Sequence, residues 1–426
     1  MALAHDRSGL LNGPVSLSRP GRVAFLTHTP PLPQVSGERI RNWNLMRELA
    51  RRDWQVSLFS LLHTEKPPSA ADRAELEKIC EEVALESFEV SSITRKARVA
   101  RDLLLGRAFQ SSYFYSRDCA GACRRWLDEC EPDIVVVETH YMVPYVPSGY
   151  FPRVVFDSHN SEARRVSTMA STLGFSARGL AARLQRGAVV RFERSVVTRA
   201  ARTLAVSEGE AAVLEQFAPG RVDLVPNGVD CETLQPRSRI PEAPEILFLG
   251  SLDYGANVDA LAFFVDSVLP LVQRSDAALS VVGSHPRDEV YSIARRSPLQ
   301  MTVSGDVIDT TPYWERARAL VVPLRVGGGT RLKILEALAR GVPVVTTSLG
   351  CEGLGLRSGQ EVLVADDATS FAVYVDRLLG DDELCASLAA QGRSVVEARF
   401  DWGRIGDFFE RCVVSVFMES RQYLDP

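Results

Sequence analysis

The sequence predicts an α/β protein built of two doubly wound domains in succession. Three observations carry this. Apolar runs of five or six residues alternate with amphipathic stretches, the pattern of parallel sheets covered on both faces. At 426 residues the chain is long for one domain and suits two of about 200. The alternation breaks once, at "PRSRIPEAP" (236–244), where three prolines leave no core residue but Ile240, and then it restarts.

In order, "RVAFLT" (22–27) reads as a buried strand. A helix over 37–52 follows, with Ile40, Trp43, Leu45, Met46 and Leu49 near helical spacing. Strands follow at "QVSLFS" (55–60), "DIVVVE" (133–138), "RVVFDS" (153–158), "RTLAVS" (202–207) and "RVDLVP" (221–226). Beyond the break, "EILFLG" (245–250) is a strand and 257–272 a helix. "ALSVVG" (278–283), "MTVSG" (301–305), "ALVVPL" (319–324), "PVVTTS" (343–348) and "EVLVA" (361–365) continue as strands, and 402–420 closes as a helix. The expected divisions are a disordered lead-in (1–20), a first domain (21–235), a second (236–400) and a terminal segment (401–426).

The net charge of −5 argues against nucleic acid as a partner of the whole protein. Eight scattered cysteines, of which only Cys119 and Cys123 are close, make no zinc set and suit a reducing cytoplasm. No run of 18 apolar residues exists, and the opening twenty residues lack the pattern of a secretory leader. Of 49 basic residues only four are lysines, and Lys333 is the only one after position 96.

Open α/β sheets bind ligands beyond the carboxyl ends of their strands, which selects 27–37, 138–141, 157–162, 226–230, 250–257, 325–336 and 349–354. Two of these fall in "GGGTRLKILEALARGVPVVTTSLGCEGL" (327–354). Gly327, Gly328 and Gly329 expose successive backbone N–H groups, and Thr330 is placed to cap the helix that follows. Arg331 and Lys333 add two cations at the helix end that favours anions, so an anionic partner explains them. A pyrophosphate fits best. Glu336, further along, can accept hydrogen bonds from the vicinal hydroxyls of a ribose.

That stretch closely resembles the donor-site motif of retaining glycosyltransferases of family 4, which have the GT-B fold: two Rossmann-like domains facing across a cleft. The resemblance extends along "HTPPLPQVSGERIRNWNLMRELA" (28–50), "VVFDSHNSEARR" (154–165), "AVSEGE" (205–210), "VPNGVD" (225–230), which includes Asn227, and "LFLGSLDYGANVDALAFF" (247–264). It implies a hexose transferase acting on a glycan or lipid-linked glycan. The donor would be a nucleotide diphosphate sugar, UDP- or GDP-linked, with no cofactor and no metal for the diphosphate. It also implies that the terminal helix crosses back to the first domain. By analogy His159 positions the donor sugar, Arg331 and Lys333 stabilise the departing diphosphate, and Glu336 binds ribose. Two departures stand out. A glutamate common in the family is Gly328 here, and an Arg and a Lys common after the first donor-domain strand are Ser251 and Asn257, following Gly250. The chain therefore resembles a GGGTRLK-type branch, with sugar contacts expected from backbone around 327–329 and from Gly350, Cys351, Glu352 and Gly353. A non-catalytic nucleotide-binding scaffold, or a GT-B epimerase or phosphorylase, remains the alternative.

Gly37 opens the first helix where the family lets backbone approach a ligand, and Glu38 stands beside it in place of a commoner glycine. Arg39 and Arg41 read either as contacts to an acidic acceptor or as solvated helix charges. His28 reads as structural and His140 as a weaker second candidate to His159. Cys351 reads as a small buried residue. Between 164 and 202 stand nine arginines and one acid, Glu193, a local charge of +8. The tract over 178–202 suits either a solvated helix or an anionic membrane surface, the latter at the cytoplasmic face.

Overall fold

The computed structural model describes residues 21–63, 67–172, 177–327 and 331–422. The first domain holds β1 (Arg22–Thr27), β2 (Gln55–Leu62), β3 (Cys80–Ser87), β4 (Ile134–Glu138), β5 (Val154–Ser158), β6 (Arg202–Ala205) and β7 (Val222–Leu224). They form one parallel sheet in the order β3-β2-β1-β4-β5-β6-β7. The second holds β8 (Glu245–Leu249), β9 (Ala278–Gly283), β10 (Gln300–Gly305), β11 (Ala319–Val322), β12 (Val344–Thr346) and β13 (Leu363–Val364), ordered β10-β9-β8-β11-β12-β13, again parallel. In each sheet the order reverses between the first and fourth strands, and an open sheet offers its binding crevice at that switch point.

β1, β4 and β5 are buried almost throughout, since helices cover both faces of the sheet. β3 was not expected from the sequence. "CEEVALES" mixes three glutamates with small apolar residues and pairs only with β2, so it is a half-exposed edge strand whose charges blunt the edge. The helix expected over 257–272 begins at Gly255, passes through a π-turn at Phe264–Val268 and ends in a 3-10 turn at Leu269–Leu271.

Residues 225–244 join the domains, and Arg237 N already bonds Arg340 O of the second (3.0 Å). The last helix, Trp402–Gln422, packs on the first domain. Phe409 meets Phe25 edge-on at 6.2 Å, and Glu410 accepts from Trp54 Nε1 at 3.0 Å. The two carboxyl-end surfaces thus face each other. Gly37 lies so near the second domain that a Cβ on it would stand 3.2 Å from Leu332 Cδ1.

Candidate active site

The helix Leu332–Ala339 follows β11, with Arg331 as its cap residue. Gly328, Gly329 and Thr330 lie outside the described residues, and so does the expected cap at Thr330. Arg331 is buried and donates Nη2 to Leu349 O (3.1 Å) and Gly327 O (3.4 Å), tying the two glycine-rich loops together. Lys333 donates Nζ to Asn257 Oδ1 (3.2 Å) and lies 5.7 Å from the Phe248 ring centre. Asn257 in turn donates to Ser251 O (2.8 Å). A Cβ at Gly250 would stand 2.7 Å from that Nζ, so glycine leaves the space the ammonium needs. Among the described residues Lys333 pairs with no carboxylate. Burial first, then the Arg331 charge, pushes its pKa down to about 8. A desolvated ammonium beside a second cation is unfavourable until an anion arrives.

Glu336 is only partly free for a ribose, because Arg340 Nε holds Oε1 at 3.2 Å, and burial raises its pKa. In the second loop Gly350 is required sterically, since a Cβ would lie 2.2 Å from Thr346 Oγ1 and 2.7 Å from Val322 O. Gly353 takes φ +83°, a left-handed conformation that favours glycine. Cys351, read from the sequence as buried, is half-buried at the turn, and that burial raises its thiol pKa. Glu352, read from the sequence as a donor contact, is held by Arg164 of the first domain at 2.7 Å, which also bonds Glu210. It bridges the domains.

The opposite wall is a chain of alternating charges at the ends of β1, β4 and β5. Arg41, fully buried in the helix Gly37–Ala50, grips Asp157 with Nε (2.8 Å) and Nη2 (2.8 Å). Asp157 Oδ2 lies 3.2 Å from His159 Nε2, and His159 Nδ1 lies 3.8 Å from Glu138 Oε1. Glu138 Oε2 meets His28 Nδ1 at 3.1 Å, and His28 Nε2 faces Glu38 Oε1 at 3.4 Å. Thr29 Oγ1 donates to that oxygen at 2.5 Å. Burial opposes charge throughout, but partners outweigh it at four points, one of them Glu138, which His28 and then His159 lower. Glu138 and then Glu38 raise His28 to about 9, Asp157 and Glu138 raise His159, and Arg41 with His159 holds Asp157 far below the usual carboxylate range. At Glu38 burial wins, helped by Glu138, and its pKa rises. Glu38 is therefore the end of the chain where burial disfavours the charged form. Thr139, just after Glu138, is β-branched yet sits at φ 56°, a strained conformation of the kind that collects at functional sites.

This wall and Leu332 enclose a cleft of about 290 Å³, with His28, Gly37, Glu38, Tyr141, His159 and Asn227 on its first-domain side. His28, Glu38 and Glu138 also bring three ligand-type atoms within 4.8 Å of one another. Both nitrogens of His28 already face carboxylates, so a cation there must displace the proton that His28 holds.

Two sequence readings change here. His28 lies in the cleft wall and is more than a structural residue. Arg41 is neither solvated nor turned to an acceptor: Asp157, Val225 O, Pro226 O and Asn227 Oδ1 enclose its guanidinium, and it sets the positions of His159 and Asn227. His140 is buried against Glu193 (3.3 Å), whose carboxylate also caps the helix Glu162–Thr172 by accepting from Glu162 N and Ala163 N. Glu138 was missed, although its place at the end of "DIVVVE" was the available signal.

One consequence is a pH dependence of stability. An unfolded histidine titrates near 6.5, so between about 6.5 and 9 the folded state holds the His28 proton more tightly. That stabilisation is complete below 6.5 and is lost as pH rises toward 9. Lys333 acts oppositely above 8. The melting temperature should therefore fall from pH 6.5 to 8, and the slope should flatten in His28→Gln. An equal slope in that variant would sink the assignment.

Comparison with known proteins agrees with this geometry. Residues 35–233 match the family model described as Glycosyltransferase Family 4, and residues 243–381 match that described as Glycosyl transferases group 1. An uncharacterised 44.6 kDa protein of the cps region of Klebsiella pneumoniae is 24% identical over 164 residues, covering 37% of this chain and 42% of that protein. A Mycobacterium tuberculosis glycogen synthase is 27% identical over 204 residues, covering 45% and 48%. The chain thus spans about half the length, or less, of the curated relatives it matches. Among solved structures, sucrose-phosphate synthase from Thermosynechococcus elongatus superposes with TM-score 0.69 at 18% identity, over 93% of this chain and 99% of that one. HepE of Anabaena, in complex with UDP and glucose, gives 0.61 at 15% identity, over 93% and 100%. Both domains thus match glycosyltransferase models, and the fold they share is of the GT-B type.

Proposed function

We propose that the protein transfers a hexose, with retention of anomeric configuration, from a UDP- or GDP-linked sugar to a hydroxyl of a glycan or lipid-linked glycan. The observation that carries this is Lys333: a desolvated ammonium beside Arg331, with no carboxylate partner among the described residues, in the first turn of a helix whose first residue, Leu332, lines the cleft. A diphosphate supplies the missing charge. As the glycosidic bond breaks, negative charge grows on the diphosphate and positive charge on the sugar. Lys333, Arg331 and the helix N–H groups stabilise the first without a metal ion. His159 lines the cleft, and its place there supports a role in positioning the sugar. The motif at 327–354 supports retention and the family 4 branch, and HepE, solved with UDP and glucose, supports the donor class. Gly327 and residues 350–353 would line the sugar and phosphates by backbone. Free thiols at all eight cysteines suit a cytoplasmic site.

The test is a thermal-shift screen against UDP, GDP, ADP and their hexose conjugates, with Glu336→Ala alongside. A ligand at 100 times Kd stabilises the native state by roughly 2.7 kcal/mol. One base should shift the wild type and fail to shift the variant. No shift with any of them removes the donor site, and a shift without sugar transfer or donor hydrolysis leaves the nucleotide-binding scaffold.

A further inference from the structure

The segment just beyond the helix Ser92–Leu104 meets the helix Ala177–Arg199 on the first domain, where Arg191 Nη2 donates to Gly106 O at 3.2 Å. Their outward faces are unusual. Leu104 is 88% exposed and Leu184 69%, with Ile93, Leu105 and Leu180 also exposed. A folded chain rarely leaves so many large aliphatics in water on adjoining helices, and such a patch marks an interaction surface. Exposed cations stand among them: Lys96 on the first helix, where Arg101 is held by Asp102 at 2.9 Å, and Arg183, Arg186, Arg191 and Arg194 on the second. The only acids on the two helices, Asp102 and Glu193, are buried and turned inward. Arg164, Arg165 and Arg202, counted in the +8 tract, pair with Glu210, Glu162 and Glu419 instead, so the outward charge is narrower than the sequence suggested.

We infer that this two-helix surface docks the first domain on an anionic lipid bilayer. The chemistry is specific to that partner: aliphatic tips enter the acyl boundary while a ring of guanidinium and ammonium groups meets lipid phosphates. A soluble polyanion would use the charges and leave the leucines in water. No helix among the described residues is long and apolar enough to cross a membrane, so the contact is peripheral. The surface also adjoins the cleft. Arg95 stacks over Tyr113 at 5.6 Å, and Arg98 bonds the carbonyls of Ser112 and Tyr115. Tyr113 leads through Phe114 (4.8 Å) to Tyr141 (4.9 Å), which lines the cleft. Docking on this face would bring the cleft's acceptor side close to the headgroup layer. The inference does not depend on the donor assignment.

The test is co-sedimentation of the full chain with vesicles of phosphatidylcholine alone and with 30 mol% phosphatidylglycerol (about that fraction gives a cytoplasmic-leaflet-like potential). Two double variants, Leu104→Asp/Leu184→Asp and Arg183→Glu/Arg186→Glu, are checked for folding by circular dichroism. Wild type should bind the anionic vesicles at least about tenfold more tightly than the neutral ones, and each variant should lose about tenfold or more. Failure of the wild type to sediment with anionic vesicles overturns the proposal. So does loss in the arginine variant alone, with heparin competing fully, because that is the behaviour of a polyanion site.

Discussion

Lys333→Met is expected to weaken nucleoside diphosphate binding by about a hundredfold and to lower the transfer rate by roughly 10²–10³, the scale of losing one preorganised charge on a leaving group. The ammonium is prepared for this role by its surroundings. It lies behind Gly250 with one neutral partner, Asn257 Oδ1, and beside the like charge of Arg331. Burial and that neighbour bring its pKa to about 8, so the free protein holds it near its titration point in mildly alkaline solution. Binding of a diphosphate must then take up a proton whenever the pH exceeds 8. Calorimetry with the best-binding of UDP, GDP and ADP should give a Kd that is level below pH 7 and climbs up to tenfold per unit above 8. Lys333→Met should be weak and level across the range, and Lys333→Arg should keep part of the affinity without the alkaline loss. A Lys333→Met protein that binds within threefold of wild type, or that retains the slope, would remove the lysine from the site. Because the readout is binding, it does not require the acceptor to be known.

The glycine-rich stretch after β11 was legible in the sequence for a physical reason. Its parts are contiguous: strand, glycine loop, cations, helix and second loop lie within 28 residues. The fold was legible too, because buried parallel strands such as "DIVVVE" and "ALSVVG" are continuous apolar runs. β3 escaped because an edge strand buries little and carries glutamates. The opposite wall escaped because it is assembled from residues up to 186 positions apart, and nothing local links Arg41 to Asn227. Arg41 lies on a helix with charged neighbours, where sequence alone cannot separate a solvated arginine from one enclosed by the sheet. Glu352 was placed in the correct loop, but its partner, Arg164, is 188 residues away in the other domain. Contacts across the cleft depend on domain placement, which periodicity does not encode.

Arg41→Met should produce the largest loss of stability from any single change in the wall, about 3–5 kcal/mol. The side chain is 0% exposed and makes hydrogen bonds in three directions: to both oxygens of Asp157, to the carbonyls of Val225 (2.9 Å) and Pro226 (3.1 Å), and to Asn227 Oδ1 (3.0 Å). Methionine fills much of the volume and replaces none of this. It leaves a buried carboxylate facing only His159 and strands carbonyl acceptors at the end of the sheet. The pH dependence should change with it. In the wild type Asp157 is held far below the unfolded carboxylate value of about 3.9, so its stabilisation is present above that pH and lost as the solution is acidified below it. Without Arg41 the burial that opposes ionisation is less compensated, the Asp157 pKa rises, and the acid limb of the stability curve should move to higher pH. Arg41→Met/Asp157→Asn removes the stranded charge and should recover part of the loss, because a neutral pair avoids the penalty of one buried ion. Thermal melts of the three variants from pH 4 to 7 separate these effects. A single variant that melts within about 2 °C of wild type would show that the Arg41–Asp157 pair does not organise this wall.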